Sequence, residues 1–287
     1  MSTMAYNPFI LIEPALLTTP LVVDSPHSGR VYPDDFDFEC SLDLLQQNED
    51  SYVDELVISA AQAGASVLAA QFARSYIDVN RAEDDIDPAL LAEPWPEPLN
   101  PSSRTLLGLG LVRRLCKSNV PVYHAPLPVA EVKKRIHECY RPYHAALEKT
   151  IARTKKKFGE CYLINAHSMP GQGGDGRLAQ RPDFVLGDRL GESCDPAFTG
   201  RVCTLLREMG YSVAFNDPYK GVEIVHRYGK PQQGQHALQL EINRRLYMNE
   251  QTLEKTLGFV RLQADLADFF RALADDLIRD TDRLAAE

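Results

Sequence analysis

The sequence predicts an α/β layered domain with a mostly parallel sheet, and three observations carry that prediction. Short apolar bursts alternate with longer amphipathic stretches, the pattern of strands joined by covering helices. The chain has 287 residues, 44% of them hydrophobic and 25% charged, enough to bury a large core without disulfides. No linker divides it, so one domain spanning residues 1–287 is expected.

Taken in order, residues 20–24 (PLVVD) form an apolar burst stopped by Ser25 and Pro26, as a buried strand would be. Residues 42–63 have helical periodicity, with Gly64 as the stop. Residues 66–72 and 76–79 read as strands. Residues 82–103 (AEDDIDPALLAEPWPEPLNPSS) are dense in proline and acid, hold the only tryptophan, Trp95, and read as an insertion loop or lid. Residues 129–158 are amphipathic and helical, broken near Pro142. Residues 161–165 and 184–186 are strand candidates. Asp195 caps a helix over 195–209 that has Pro196 at its first position. Residues 211–215 and 237–242 are further strands, and 252–284 are largely helical.

Charge and cysteine usage narrow the function. The 31 basic and 40 acidic residues give −9, and the longest basic run is Lys155 to Lys157, so nucleic acid is not an expected partner. The six cysteines have no CxxC pair, and no stretch approaches the ~20 apolar residues of a membrane span. The expectation is a cytoplasmic protein with reduced thiols, no membrane form, and a small anionic substrate met by a local cluster of cations. The oligomeric state is left open.

Ligands in open α/β sheets bind beyond the carboxyl ends of the strands. After LVVD come Pro26, His27, Ser28, Gly29 and Arg30; after CYLIN come Ala166, His167 and Ser168. HALQLEI carries Glu241 near its end and leads to Arg244, and YIDV leads to Asn80 and Arg81. If these strands are parallel neighbours, two histidines, a glutamate and an arginine meet at one edge. Two imidazoles and a carboxylate suit zinc, which binds both at about 2.0–2.2 Å. The third ligand is sought among Glu49, Asp50 and Asp54, at the start of the first long helix. His226 is placed to contact substrate, His124 and His144 to pack or hydrogen-bond, and His236 to open the Glu241 strand. Serine catalysis is not expected, because Ser28 and Ser168 adjoin their histidines and no G-x-S-x-G elbow exists. The run GQGGDG at 171–176 lacks a phosphate loop's ending and reads as a flexible turn or flap.

Several blocks in order carry a closer likeness: PLVVDSPHSGRVYP, NEDSYVDEL, ARSYIDVNR, RPYHAAL, INAHSMP, RPDFVLGDR, NDPYKG and HRYGKPQQGQHALQLEINRRLYMNE. In these the chain resembles the N-formylglutamate amidohydrolase family from residue 20 to about 250. The resemblance implies a three-layer α/β/α fold similar to zinc carboxypeptidases. It also implies hydrolysis of N-formyl-L-glutamate to glutamate and formate, the last step of one histidine-degradation route. Zinc carboxypeptidases often take two ligands from H-x-x-E; here Arg30 fills the fourth place, and Asp50 is chosen as the carboxylate beside His27 and His167. In the implied mechanism Glu241 is the general base and Arg81 stabilises the oxyanion or grips a carboxylate. Arg30, Lys220, His226, Arg227 and Arg244 are the other candidates for substrate contact. Gly221-Val222-Glu223 departs from the family pattern and motivates one alternative, an amidase for another N-acyl amino acid or small peptide; a non-catalytic metabolite-binding protein of the same fold is a further alternative.

Overall fold

The computed structural model describes residues 7–116, 119–171 and 181–286. Apart from Gly171, the glycine-rich run expected to be a flap lies outside the described residues. The strands are β1 (Phe9–Ile12), β2 (Leu21–Ser25), β3 (Ser66–Ala70), β4 (Cys161–Met169), β5 (Phe184–Gly187), β6 (Val213–Phe215) and β7 (Gln235–Asn243). The helices are α1 (Leu42–Gln46), α2 (Val53–Val57), α3 (Ser103–Leu106), α4 (Val129–Arg135), α5 (Arg141–Phe158), α6 (Pro196–Glu208), α7 (Glu223–Tyr228) and α8 (Leu257–Ala286). The strands form one sheet in the order β1-β3-β2-β4-β7-β5-β6. The pairs β2–β4, β4–β7 and β5–β6 are parallel and β5–β7 is antiparallel, so the sheet is mixed.

By contacts the chain divides into two compact units. The second comprises Leu11–Ser25, Tyr52–Leu68 and Leu147–Glu287. Its central strands are buried on both faces because both are covered. Val23, Ile164, Leu240 and Leu186 belong to one buried cluster with residues of α2, α6 and α8, among them Leu56, Val202 and Phe269. The alternate residues Val22, Leu163, Ala237 and Val185 are equally buried, and α7 packs against β7 with Ile224 and Val225 outside that cluster. Helices therefore flank the sheet on both sides, the three-layer α/β/α arrangement. Asp195 caps α6 by accepting from the Ala197 N–H at 2.7 Å.

The first unit comprises Met1–Ile10, Pro26–Ser51 and Ala69–Ala146. Its centre is an aromatic group around Arg135, whose guanidinium lies 4.2 Å from the Tyr76 ring centroid and bonds Tyr123 Oη. Gly29 is required by close approach: a Cβ there would sit 2.3 Å from the Phe72 carbonyl oxygen.

Three expected elements differ. Residues 76–79 are not a strand; the Asp78 carboxylate accepts from the Asn80 N–H and the Asp78 carbonyl from the Arg81 N–H, local bonds that replace a ladder. The single helix over 42–63 is broken between α1 and α2, where Tyr52 adopts φ 67° and the Asp50 N–H bonds the His27 carbonyl. The last helix starts only at Leu257, after a turn in which Asn249 Oδ1 accepts from the N–H groups of Gln251 and Thr252 and Leu253 adopts φ 58°. The break expected near Pro142 is a π-helical segment, Ile136–Tyr140, joining α4 to α5, and Pro142 has no N–H to offer the preceding turn.

Candidate metal centre

On the sheet, His167 is the register partner of Glu241, and Asn165 pairs with both Asp24 and Gln239. The period of two puts Asn165 and His167 on the face opposite Ile164 and Ala166. The residues on that face form a buried polar row. Asn165 Nδ2 donates to both Asp24 oxygens at 3.0 and 3.1 Å. A carboxylate only accepts, so this bond fixes the amide and turns its Oδ1 to His167 Nε2, 2.8 Å away. Nε2 is therefore the donor, and His167 presents Nδ1 as its lone-pair nitrogen. One step along β7, Gln239 Nε2 donates to Glu241 Oε1 at 2.8 Å, holding a carboxylate only 6% exposed.

In the first unit the chain leaving β2 carries His27, 2% exposed. Its Nε2 lies 2.6 Å from Asp78 Oδ1 and its Nδ1 3.3 Å from Asp50 Oδ2. The same logic applies: Nε2–H donates to Asp78, and Nδ1 carries the lone pair on the Asp50 side. Arg74 Nη2 donates to Asp78 Oδ2 at 2.8 Å, and its Nη1 is 4.0 Å from Asp50 Oδ1. Arg113 Nη2 stands 4.0 Å from Asp78, and its Nη1 donates to Asn48 Oδ1. Burial opposes ionisation of Asp78, yet His27, Arg74 and the hydrogen bond from the ring hold it well below the carboxylate range. Burial and then the Arg74 charge bring Arg113 down to about 9, with Asp78 pulling the other way.

Among the described residues, His27, Asp50 and His167 each offer one ligand atom, and all three atoms lie within 4.8 Å of one another. All three are buried. Two imidazoles oriented by acceptors behind them, plus one carboxylate, are a donor set that fits a divalent metal of the zinc type and leaves a coordination position open. Of the other carboxylates considered, Glu49 accepts from Tyr32 Oη, and Asp54 lies beyond the break, in α2.

The substrate candidates differ in setting. Arg81 is 8% exposed and lies 3.8 Å from Asp85, while Glu83 pairs with Arg141. Arg244 is buried and donates through Nε to Ser168 Oγ at 2.9 Å. Arg30, Lys220, His226 and Arg227 are exposed. His144 donates to the Val79 carbonyl, His236 accepts from the Asp195 N–H, and His124 pairs with Glu39 at the surface. Asp78, Arg74, Arg113, Asn165 and Gln239 were not singled out from sequence. The one signal was D-x-N before Arg81, a local turn pattern inside an apolar run.

The comparisons agree with one another. A curated N-formylglutamate deformylase of Pseudomonas aeruginosa is 34% identical over 273 residues, 90% of this chain and 91% of the relative. Another of the same name, from Pseudomonas putida, is 34% identical over 240 residues, covering 80% of this chain and 82% of its own. The crystal structure of N-formylglutamate amidohydrolase from Ralstonia eutropha JMP134 superposes with a TM-score of 0.93 at 44% identity, over 96% of this chain and 100% of that one. Residues 19–248 match the family described as N-formylglutamate amidohydrolase, and the chain belongs to that family.

Proposed function

We propose that this chain hydrolyses the amide bond of N-formyl-L-glutamate to L-glutamate and formate, using one divalent metal ion, zinc, held by His27, Asp50 and His167. The reading is carried by the convergence of those three ligand atoms in a chain of this family. When bound, such an ion supplies Lewis acidity and brings the pKa of a water down towards about 7. Glu241, in register with His167, takes the proton from the attacking water and returns it to the leaving amine. Gln239 orients that carboxylate from behind. Arg81 grips a substrate carboxylate or the developing oxyanion through its fork of N–H groups. Lys220, Arg227, Arg244, Arg30 and His226 are the groups left for the second carboxylate. A dianion approaching a chain of net charge −9 needs local cations, and Arg74 and Arg113 add to that local charge. The reaction would close a histidine-degradation route in the cytoplasm.

The test is metal content and formate release on the purified protein. His27→Ala and His167→Ala are each expected to lose stoichiometric zinc and formate release. Retention of stoichiometric zinc by either variant refutes the ligand assignment. Full metal with no formate from N-formylglutamate refutes the substrate.

A further inference from the structure

In the first unit, the proline-rich segment 82–103 and the helix running from α4 into α5 line an open surface cavity of about 490 Å³ that the proposed reaction does not use. That size falls within the range of small-ligand sites. One wall is Trp95, the only tryptophan, and the buried Ile136 forms part of the floor. Two ion pairs cross the rim: Arg141 holds Glu83 at 2.6 Å and Lys133 holds Glu97 at 3.2 Å. Both lining cations are thereby neutralised. A third carboxylate, the exposed Asp84, has no side-chain ion pair or hydrogen bond among the described residues, so three carboxylates line the cavity against two paired cations. Lys133 Nζ already sits 5.2 Å from the Trp95 ring centroid, placing that indole where a cation is attracted.

The cavity wall is also a working part of the fold. Ile136 and His137 belong to the π-helical segment, a geometry that is rare and found mostly at functional places. The same stretch of helix holds residues 76–81 by three bonds. Arg135 Nη1 donates to the Tyr76 carbonyl, Tyr140 Oη to the Arg81 carbonyl at 2.9 Å, and His144 Nε2 to the Val79 carbonyl at 2.9 Å. Asp78, which orients His27, lies in that segment.

We propose that this cavity binds a small alkylammonium cation, its apolar body on Trp95 and its charge at Asp84, and that occupancy is transmitted through the π segment to residues 76–81. The probe is choline, titrated into the full-length protein and followed by Trp95 fluorescence and by calorimetry. Binding is expected to saturate, and to be roughly tenfold tighter than that of choline's uncharged tert-butyl isostere. Asp84→Asn is expected to weaken it roughly tenfold by removing the charged acceptor. Trp95→Phe is expected to lose the fluorescence signal and to weaken heat-detected binding, because a phenyl ring offers a cation less than an indole. Absence of saturation, equal binding of the isostere, or an unchanged Asp84→Asn overturns the site. Transmission is read by amide hydrogen exchange, which choline should slow across 76–81 in the parent and not in Asp84→Asn; saturable binding with unaltered exchange there overturns it. Neither readout depends on turnover, so failure of the proposed reaction would leave this test intact.

Discussion

Asp78 is the residue whose removal tests the metal centre most sharply, because it is not a ligand. Its carboxylate touches His27 Nε2 and Arg74 and stands 4.0 Å from Arg113, at 1% exposure. Asp78→Asn preserves an acceptor for the ring N–H but removes the negative charge that makes the imidazole a stronger donor to metal. Asp78→Ala removes both and frees the ring to rotate. Partners behind metal-ligating histidines are worth about 10- to 100-fold in metal affinity, or about 1.4–2.7 kcal/mol. The Asn variant belongs at the lower end of that range and the Ala variant at the upper end. The assay is zinc titration of the metal-free protein against a competing chelator. Parent-like affinity in both variants, within about twofold, refutes the reasoning. A second measurement separates geometry from folding. Loss of Asp78 leaves Arg74 and Arg113 with less compensation, and breaking a buried pair costs about 3–5 kcal/mol. Denaturant unfolding of the metal-free variants should show that cost, whereas a fall in zinc affinity beyond the stability change belongs to the His27 ring.

Three other outcomes follow from the same geometry. Glu241→Gln should retain zinc and lose formate release by about 10²- to 10⁴-fold; parent-like rates in steady-state kinetics would remove Glu241 as the base. Asn165→Leu takes the acceptor from His167 Nε2 and one donor from the Asp24 carboxylate, so zinc affinity should fall by about tenfold or more, read by the same chelator competition. His236 accepts the Asp195 N–H, and burial lowers its pKa in the folded state. The folded protein then binds fewer protons than the unfolded chain, so stability is complete above about pH 6.5 and falls as pH drops below it. Thermal unfolding from pH 8 to 5 should show a slope that His236→Phe, stacked on Tyr162 in the same place, flattens.

What could be read in advance was whatever depends on where an apolar run stops. β2, β4, β5 and β7 are buried on both faces, so they read as continuous hydrophobic bursts. Their ends carry the expectation that His27, His167 and Glu241 share one edge, because parallel neighbours share a carboxyl end, and β4 and β7 do pair in parallel with His167 opposite Glu241. The third ligand was left among Glu49, Asp50 and Asp54 for a physical reason. In an unbroken helix Asp50 and Asp54 share a face, but α1 ends at Gln46 and Tyr52 turns left-handed before α2, which parts them. Periodicity cannot register a single φ of that sign. The segment 76–79 misled in the opposite sense. Tyr76, Ile77 and Val79 are as buried as any strand, but Asp78 binds its own downstream N–H group and His27 at once. A buried carboxylate inside an apolar run must have a partner of opposite or donating character somewhere. Asp78 finds both kinds, the N–H of the His27 ring and the Arg74 guanidinium.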